Sequence, residues 1–188
     1  MVKSNFPEMP VLYFSDSGFT PYGLLKEAEL RNRVYAVLNF IKTNRVGHIV
    51  VACHSASSVL NGKELNVTGM QKATIDVVMK KGLKSVGVVG GGRTIEEGYY
   101  ASKFREAGML VKQQVAQELS ILVERGEIAS RHTRETIRDI FEPLKNLDGI
   151  LLACTHYPVL TTLIRKELLE KCTVIDPMCD VFEHVKRL

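Results

Sequence analysis

With 188 residues, 45% of them apolar, the chain can bury one good core or two small lobes sharing a cleft, and a charged share of 24% is ordinary for a soluble protein. The net charge of +4, from 25 Lys and Arg against 21 Asp and Glu, is scattered, with Lys80-Lys81 as a minor cluster, which argues against a nucleic-acid-binding stripe. No apolar run reaches the roughly 18 residues of a membrane-spanning helix and no secretory pattern opens the chain, so no membrane partner and a cytoplasmic location are expected.

The first ten residues, with Pro7 and Pro10, read as irregular, and the apolar run Val11-Leu12-Tyr13-Phe14 reads as a short strand. Residues 15–23 have loop chemistry, because Gly and Pro punctuate and Asp and Ser favour turns. A helix is expected over about 24–43, with Leu25, Ala28, Val34, Val37, Leu38 and Ile41 on its apolar stripe. Residues 48–53 form an apolar run suited to a strand buried on both faces of a parallel sheet, and a short helix starts near Ser55. A weak strand at 67–70 precedes a helix over 71–81, with Ile75, Val78 and Met79 on one face. A strand at 85–90 runs into Gly91-Gly92-Arg93-Thr94 and a helix over about 95–107. After a weak strand at 109–114, helices are expected over 116–125 and about 130–146, the second interrupted near Pro143. The run 149–154 is a further strand, and Pro158 suits the first turn of a helix reaching about 171. A strand at 172–176, Pro177 and a helix over 181–188 close the chain. Alternation of this kind predicts an α/β fold with mainly parallel sheets flanked by helices, whose functional residues gather at the carboxyl ends of strands.

Two of those ends carry the same signal. Val50-Val51-Ala52-Cys53 runs into His54-Ser55, and Leu151-Leu152-Ala153-Cys154 runs into Thr155-His156. Each is an apolar strand, then Ala-Cys, then polar residues and the start of a helix. The repetition predicts two similar lobes with the site between them and a sulfur on each side of the ligand. Such a pair suits taking a proton from one face of a carbon and returning it to the other. A helix N-terminus favours the thiolate, and the adjacent imidazoles and hydroxyls are donors suited to a carboxylate or a phosphate. Other readings stay open on these residues. Free cysteines are often simply small buried side chains. Two Cys and two His could bind zinc, although adjacent Cys53 and His54 make joint ligation awkward and no metal site is expected. A Cys–His nucleophile for acyl transfer would leave the other thiol unexplained. Cys172 and Cys179 lack such flanks and read as structural. None of the 4 cysteines forms C-x-x-C, so no disulfide framework is expected. The Gly90-Gly91-Gly92-Arg93-Thr94 segment lacks the Lys-Ser/Thr ending of a P-loop and reads as a tight turn offering Thr94 to a ligand. Asp16 can be read as a turn former and Tyr22-Gly23 as a helix entry.

Leu152-Ala153-Cys154-Thr155-His156-Tyr157-Pro158 resembles the "GCTHYP" signature of glutamate racemases, within the aspartate/glutamate racemase superfamily. In the same order, Val51 to Ser57 is similar to "ACNTAS", Tyr13 to Gly23 to "YFGDTARVPYG", Val88 to Thr94 to the "VIGTxAT" turn, and Val123-Glu124 to a "VE" segment. The resemblance spans nearly the whole chain. It implies a racemase that works without a cofactor, interconverting L- and D-glutamate and supplying D-glutamate for peptidoglycan. Cys53 and Cys154 would be the catalytic acid/base thiols. Tyr22, Gly23, His54, Ser55, Thr94, Thr155 and His156 would bind the substrate, with Glu124 and Asp16 assisting. It further implies a first lobe of residues 1–70 with about 172–188, a second lobe of 71–171, and dimers as a family habit. Aspartate is the nearest alternative substrate, and "CTH" favours glutamate over it.

The chain also departs from that pattern. The family usually opens with a strand ending in Asp-Ser-Gly, which has no counterpart here, since Asp16-Ser17-Gly18 matches a later position by its spacing to Pro21-Tyr22-Gly23. The C-terminal end reads as shorter than usual, and His54 stands for Asn. A trimmed, non-catalytic relative that binds an anion or another protein is the alternative these departures raise.

Overall fold

The computed structural model describes residues 7, 8 and 10–185, so the expectations for residues 1–6, 9 and 186–188 lie outside it, as does the side chain of Cys179. Helix α1 (Glu27–Lys42) packs Leu30, Val34 and Leu38 inward at a spacing of four. Strand β1 (Ile49–Val51), the one-turn helix α2 (His54–Ser57) and β2 (Val67–Gly69) follow. Then come α3 (Gln71–Lys80), β3 (Ser85–Gly90), α4 (Gly92–Glu97), α5 (Tyr99–Glu106) and β4 (Leu110–Val115). The chain continues through α6 (Gln117–Glu124), α7 (Arg131–Phe141), β5 (Gly149–Ala153), α8 (Thr161–Glu167), β6 (Thr173–Ile175) and α9 (Met178–Val185). Among the described residues no helix is long and apolar enough to cross a membrane.

Every strand pairing is parallel. Strands β1 and β2 make a small sheet, and β4-β3-β5-β6 make a larger one in that order. The larger sheet is buried on both faces. Ile150 and Leu152 of β5 join Leu119, Ile137, Phe141, Tyr157 and Ile164 on one side, while Leu151 and Ala153 join Val78, Val86, Val88, Tyr100 and Phe104 on the other. This period of two explains why β5 reads as a continuous apolar run. The small sheet has its own core, in which Ile49 meets Leu30, Val34, Leu38, Ala56 and Val59. Strand β6 belongs to the larger sheet, and α9 packs through Val181 on Met70 and Ala73. Asp148 ties β3 to the turn before β5, accepting from the backbone N–H groups of Lys84 and Ser85 at 3.0 and 2.9 Å.

Several expectations need correction. Residues 11–14 form no strand. They are exposed, Tyr13 at 81%, and among the described residues only Phe14 finds a ring partner, Phe40, at 5.6 Å. An apolar run without a neighbouring edge has no ladder to join. The first helix begins at Glu27, preceded by single turns at Ser17–Phe19 and Tyr22–Leu24, and Ala28 is exposed while Leu30 is buried. The helix expected over 95–107 starts at Gly92 and is two helices, broken at Gly98 with φ +66°. The segment after Pro158 begins as a single turn at Tyr157–Leu160, and its helix ends at Glu167. The last helix starts three residues early, at Met178.

The break at Gly98 generates a stability prediction. A Cβ there has nothing within 4 Å, yet its φ lies in the left-handed region that side chains disfavour. Gly98→Ala is expected to destabilise the fold by about 1 kcal/mol in urea unfolding, through backbone strain alone. An unchanged midpoint would show that α4 and α5 can fuse.

Candidate active site

Strand β1 delivers Cys53 and strand β5 delivers Cys154 to one cleft. Pro21, Tyr22, Gly23, Cys53, His54 and Ser55 line it from the small-sheet side. Gly91, Gln117, Ser120, Ala153, Cys154, Thr155 and His156 line it from the large-sheet side. Eight of the residues singled out from the sequence therefore meet in one cavity. Of the other three, Thr94 lies behind the wall, 3% exposed, with its hydroxyl 3.3 Å from that of Ser55. Glu124 and Asp16 do not line the cleft and reach it through His156 and Tyr22.

The surroundings of the two sulfurs differ. Cys53 caps the one-turn helix, its Sγ accepting from the Ala56 N–H at 3.5 Å. Burial pushes its thiol up, against the backbone N–H groups of Ala56 and Ser55. Cys154 is pushed up to about 12, chiefly by burial, against the backbone N–H of His156, with the charge of Cys53 adding to the rise. Both side chains keep part of their surface open to the cleft, so this shielding comes from the protein packed around them. Beside Cys154 stands an ordered relay. Its Sγ is 3.6 Å from His156 Nδ1, and His156 Nε2 is 2.6 Å from Glu124 Oε1. Below it, the fully buried Tyr157 donates to the carbonyl of Ala116 at 2.9 Å, anchoring the turn that carries the cysteine.

On the other side Tyr22 donates to Asp16, which also takes the Arg33 guanidinium in a fork, with Nε at 2.6 Å. That guanidinium lies 4.0 Å over the Phe19 ring. The Arg33 fork holds the Asp16 carboxyl below the usual carboxylate range, against desolvation and with help from Tyr22. Among the described residues no group of three or more His, Cys, Asp or Glu side chains is placed to hold a metal ion.

Sequence reading missed Gln117 and Ser120. The Gln117 amide accepts from the Gly92 N–H at 3.2 Å and donates to Ser120 Oγ at 2.7 Å. A Cβ on Gly23 would stand 2.3 Å from Gln117 Oε1, so the two sides of the cleft meet here through a glycine. No spacing or composition marks Gln117; the tertiary fold alone brings it to the cleft.

The family model described as Asp/Glu/Hydantoin racemase matches residues 2–181. The glutamate racemase of Deinococcus radiodurans is 31% identical over 193 residues, 97% of this chain and 67% of that one. A Thermoanaerobacter glutamate racemase is 28% identical over 191 residues, 96% of this chain and 71% of that one. The crystal structure of Thermus thermophilus glutamate racemase, solved with β-chloro-D-alanine, is 27% identical with a TM-score of 0.84, covering 99% of this chain and 73% of its own.

Two predictions follow from the electrostatics of the cleft. With Cys154 at about 12, only about one thiol in 10⁴ is ionised at pH 8. Iodoacetamide should therefore label Cys53 and Cys154 far more slowly than free cysteine, with the Cys154 rate rising about tenfold per pH unit up to pH 9; mass-spectrometric labelling at free-cysteine rates would contradict this. Asp16 has a lowered folded-state pKa, so its stabilisation is present above the ordinary carboxylate value of 3.8 and is lost as pH falls through the folded value. Asp16→Asn should lower Tm by about 5 °C at pH 7, with a shrinking difference below pH 4, in paired thermal melts.

Proposed function

The chain belongs to the Asp/Glu/hydantoin racemase family, and from that premise we propose that it interconverts L- and D-glutamate without a cofactor, using Cys53 and Cys154 as opposed acid/base thiols. The observation that carries the reading is the convergence of two strand-end cysteines, one from each sheet, on a single cleft. Relatives named glutamate racemase supply the substrate. We place the protein in the cytoplasm, where D-glutamate is a precursor of bacterial peptidoglycan.

The α-carbon is a weak acid, and with no electron sink the developing carbanion must be stabilised by donors and by exclusion of water. In the proposed cycle one sulfur enters as thiolate and takes the α-proton. The other enters as thiol and donates its proton to the opposite face. The first is then a thiol, the second a thiolate, and the product has the opposite configuration. Burial opposes formation of either thiolate, so the proton must leave for a local base. For Cys154 that base is His156 Nδ1, 3.6 Å away, with Glu124 stabilising the imidazolium from the far nitrogen. The α-ammonium of the substrate adds a positive charge to the same cleft. Tyr22, Gly23, His54, Ser55 and Thr155 offer donors for the carboxylates, and Thr94 steadies Ser55 from behind.

Incubation with L-glutamate in heavy water tests the reading. Loss of the α-proton signal in NMR together with loss of circular dichroism is expected. Cys53→Ser and Cys154→Ser should each cut racemisation more than 100-fold, or leave exchange on one enantiomer only, and Glu124→Gln should cut kcat by about 10–100-fold. Absence of exchange at high protein concentration, with glutamate and aspartate alike, would overturn the proposal.

A further inference from the structure

His54 lines the cleft but is 3% exposed, and its two ring nitrogens have unlike surroundings. Nδ1 lies 2.7 Å from the hydroxyl of Tyr100, on α5 of the opposite lobe, and the rings meet edge to face at 5.6 Å and 72°. Nε2 is shielded from solvent and has no hydrogen-bond partner among the described residues. Tyr100 is 2% exposed, in a core with Ala101 and Phe104. A buried phenol O–H needs an acceptor. Thr74 Oγ1 is buried without a hydrogen-bond partner among the described residues, and the hydrogen bond the Tyr100 hydroxyl makes is the one to the His54 ring. The acceptor left for Tyr100 is His54 Nδ1. If Nδ1 accepts, the single proton of a neutral ring sits on Nε2. Desolvation keeps the ring neutral, holding its pKa at about 3.

We propose that Tyr100 is a positioning residue acting through His54: it selects the Nε2–H tautomer, so that the imidazole gives the cleft an uncharged N–H donor for a carboxylate oxygen of the substrate. The proposal rests on the reading of this cleft as a glutamate site. An N–H left without a partner inside protein is costly, and a ligand entering the cleft is the group available to meet it. Neutrality also matters. An imidazolium directly after Cys53 would hold that sulfur as a thiolate, whereas a neutral ring binds the anion and leaves the thiol its proton.

Protein labelled with ¹⁵N-histidine reads the tautomer directly, with the His54 signals assigned by their absence in His54→Asn. The expected pattern is an unprotonated Nδ1 and a protonated Nε2, with the Nε2 signal shifting on saturation with D-glutamate. Tyr100→Phe should lower kcat/KM for glutamate about tenfold, mostly through KM. In the His54→Asn background the same change should cost less than about twofold, because an amide N–H has no tautomer to select. A merely structural Tyr100 would cost the same in both backgrounds. That result, or a protonated Nδ1, overturns the proposal, and the tautomer spectrum needs no variant of Tyr100 to fold. Intact glutamate racemisation with an unmoved His54 signal overturns the role of Tyr100 alone. A His54 shift on glutamate binding without α-proton exchange overturns the proposed reaction and supports the contact.

Discussion

Everything in the cleft depends on two parallel sheets presenting their carboxyl ends to each other at backbone distance. Glycines line that seam, and a Cβ on Gly91 or Gly92 would meet the Gly23 backbone at ordinary van der Waals distance. The Gly23 Cα lies 3.7 Å from the position of a Cβ on Gly91, and the Gly23 carbonyl lies 3.6 Å from that of a Cβ on Gly92. Any side chain at Gly23 would be driven into the Gln117 amide. Around this seam stand polar links between the two sides: Ser55 to Thr94 at 3.3 Å, His54 to Tyr100 at 2.7 Å and Glu27 to Arg93 at 2.9 Å. The last is on the surface and contributes little. The first two are buried, where an unmet polar group is expensive, so the cleft is held closed by contacts that a ligand must replace or leave intact. Closure also explains the thiols. The packing that brings Cys53 and Cys154 together removes the water that would stabilise their thiolates.

Much of this was legible in the sequence because it depends on local pattern. Strands β3 and β5 are buried on both faces, so their apolar runs stand out, and the Ala-Cys endings of the 48–53 and 149–154 segments mark the start of loops at the functional edge. Other features were hidden for physical reasons. Val11 to Phe14 has strand composition, but strand formation is a property of pairs, and among the described residues no strand pairs with it. The break at Gly98 sits inside a helical pattern, where an isolated glycine is commonly tolerated. Arg33 reads as one more helix-surface charge until the fold brings Asp16 to it across 17 positions. Gln117 reaches the cleft, and Tyr100 reaches the His54 ring behind it, only because α6 and α5 flank strands whose ends face it, which no periodicity reports.

The two thiols are chemically unequal. Cys154 has an imidazole within reach, itself ordered by a carboxylate, whereas Cys53 has only the N–H groups of a one-turn helix and a neighbouring ring that burial keeps neutral. Proton removal toward the Cys154 face and proton removal toward the Cys53 face therefore pass through differently stabilised states. Yet the enantiomers of glutamate have equal free energies, so for the proposed reaction the equilibrium constant is unity and kcat/KM must be the same in both directions. The asymmetry of the site can express itself only by splitting kcat and KM together, a larger kcat for one enantiomer being matched by a proportionally larger KM. In that proposed reaction the Glu124–His156 pair would distribute protons between two bound states. It would lower the barrier they share and could not favour one product.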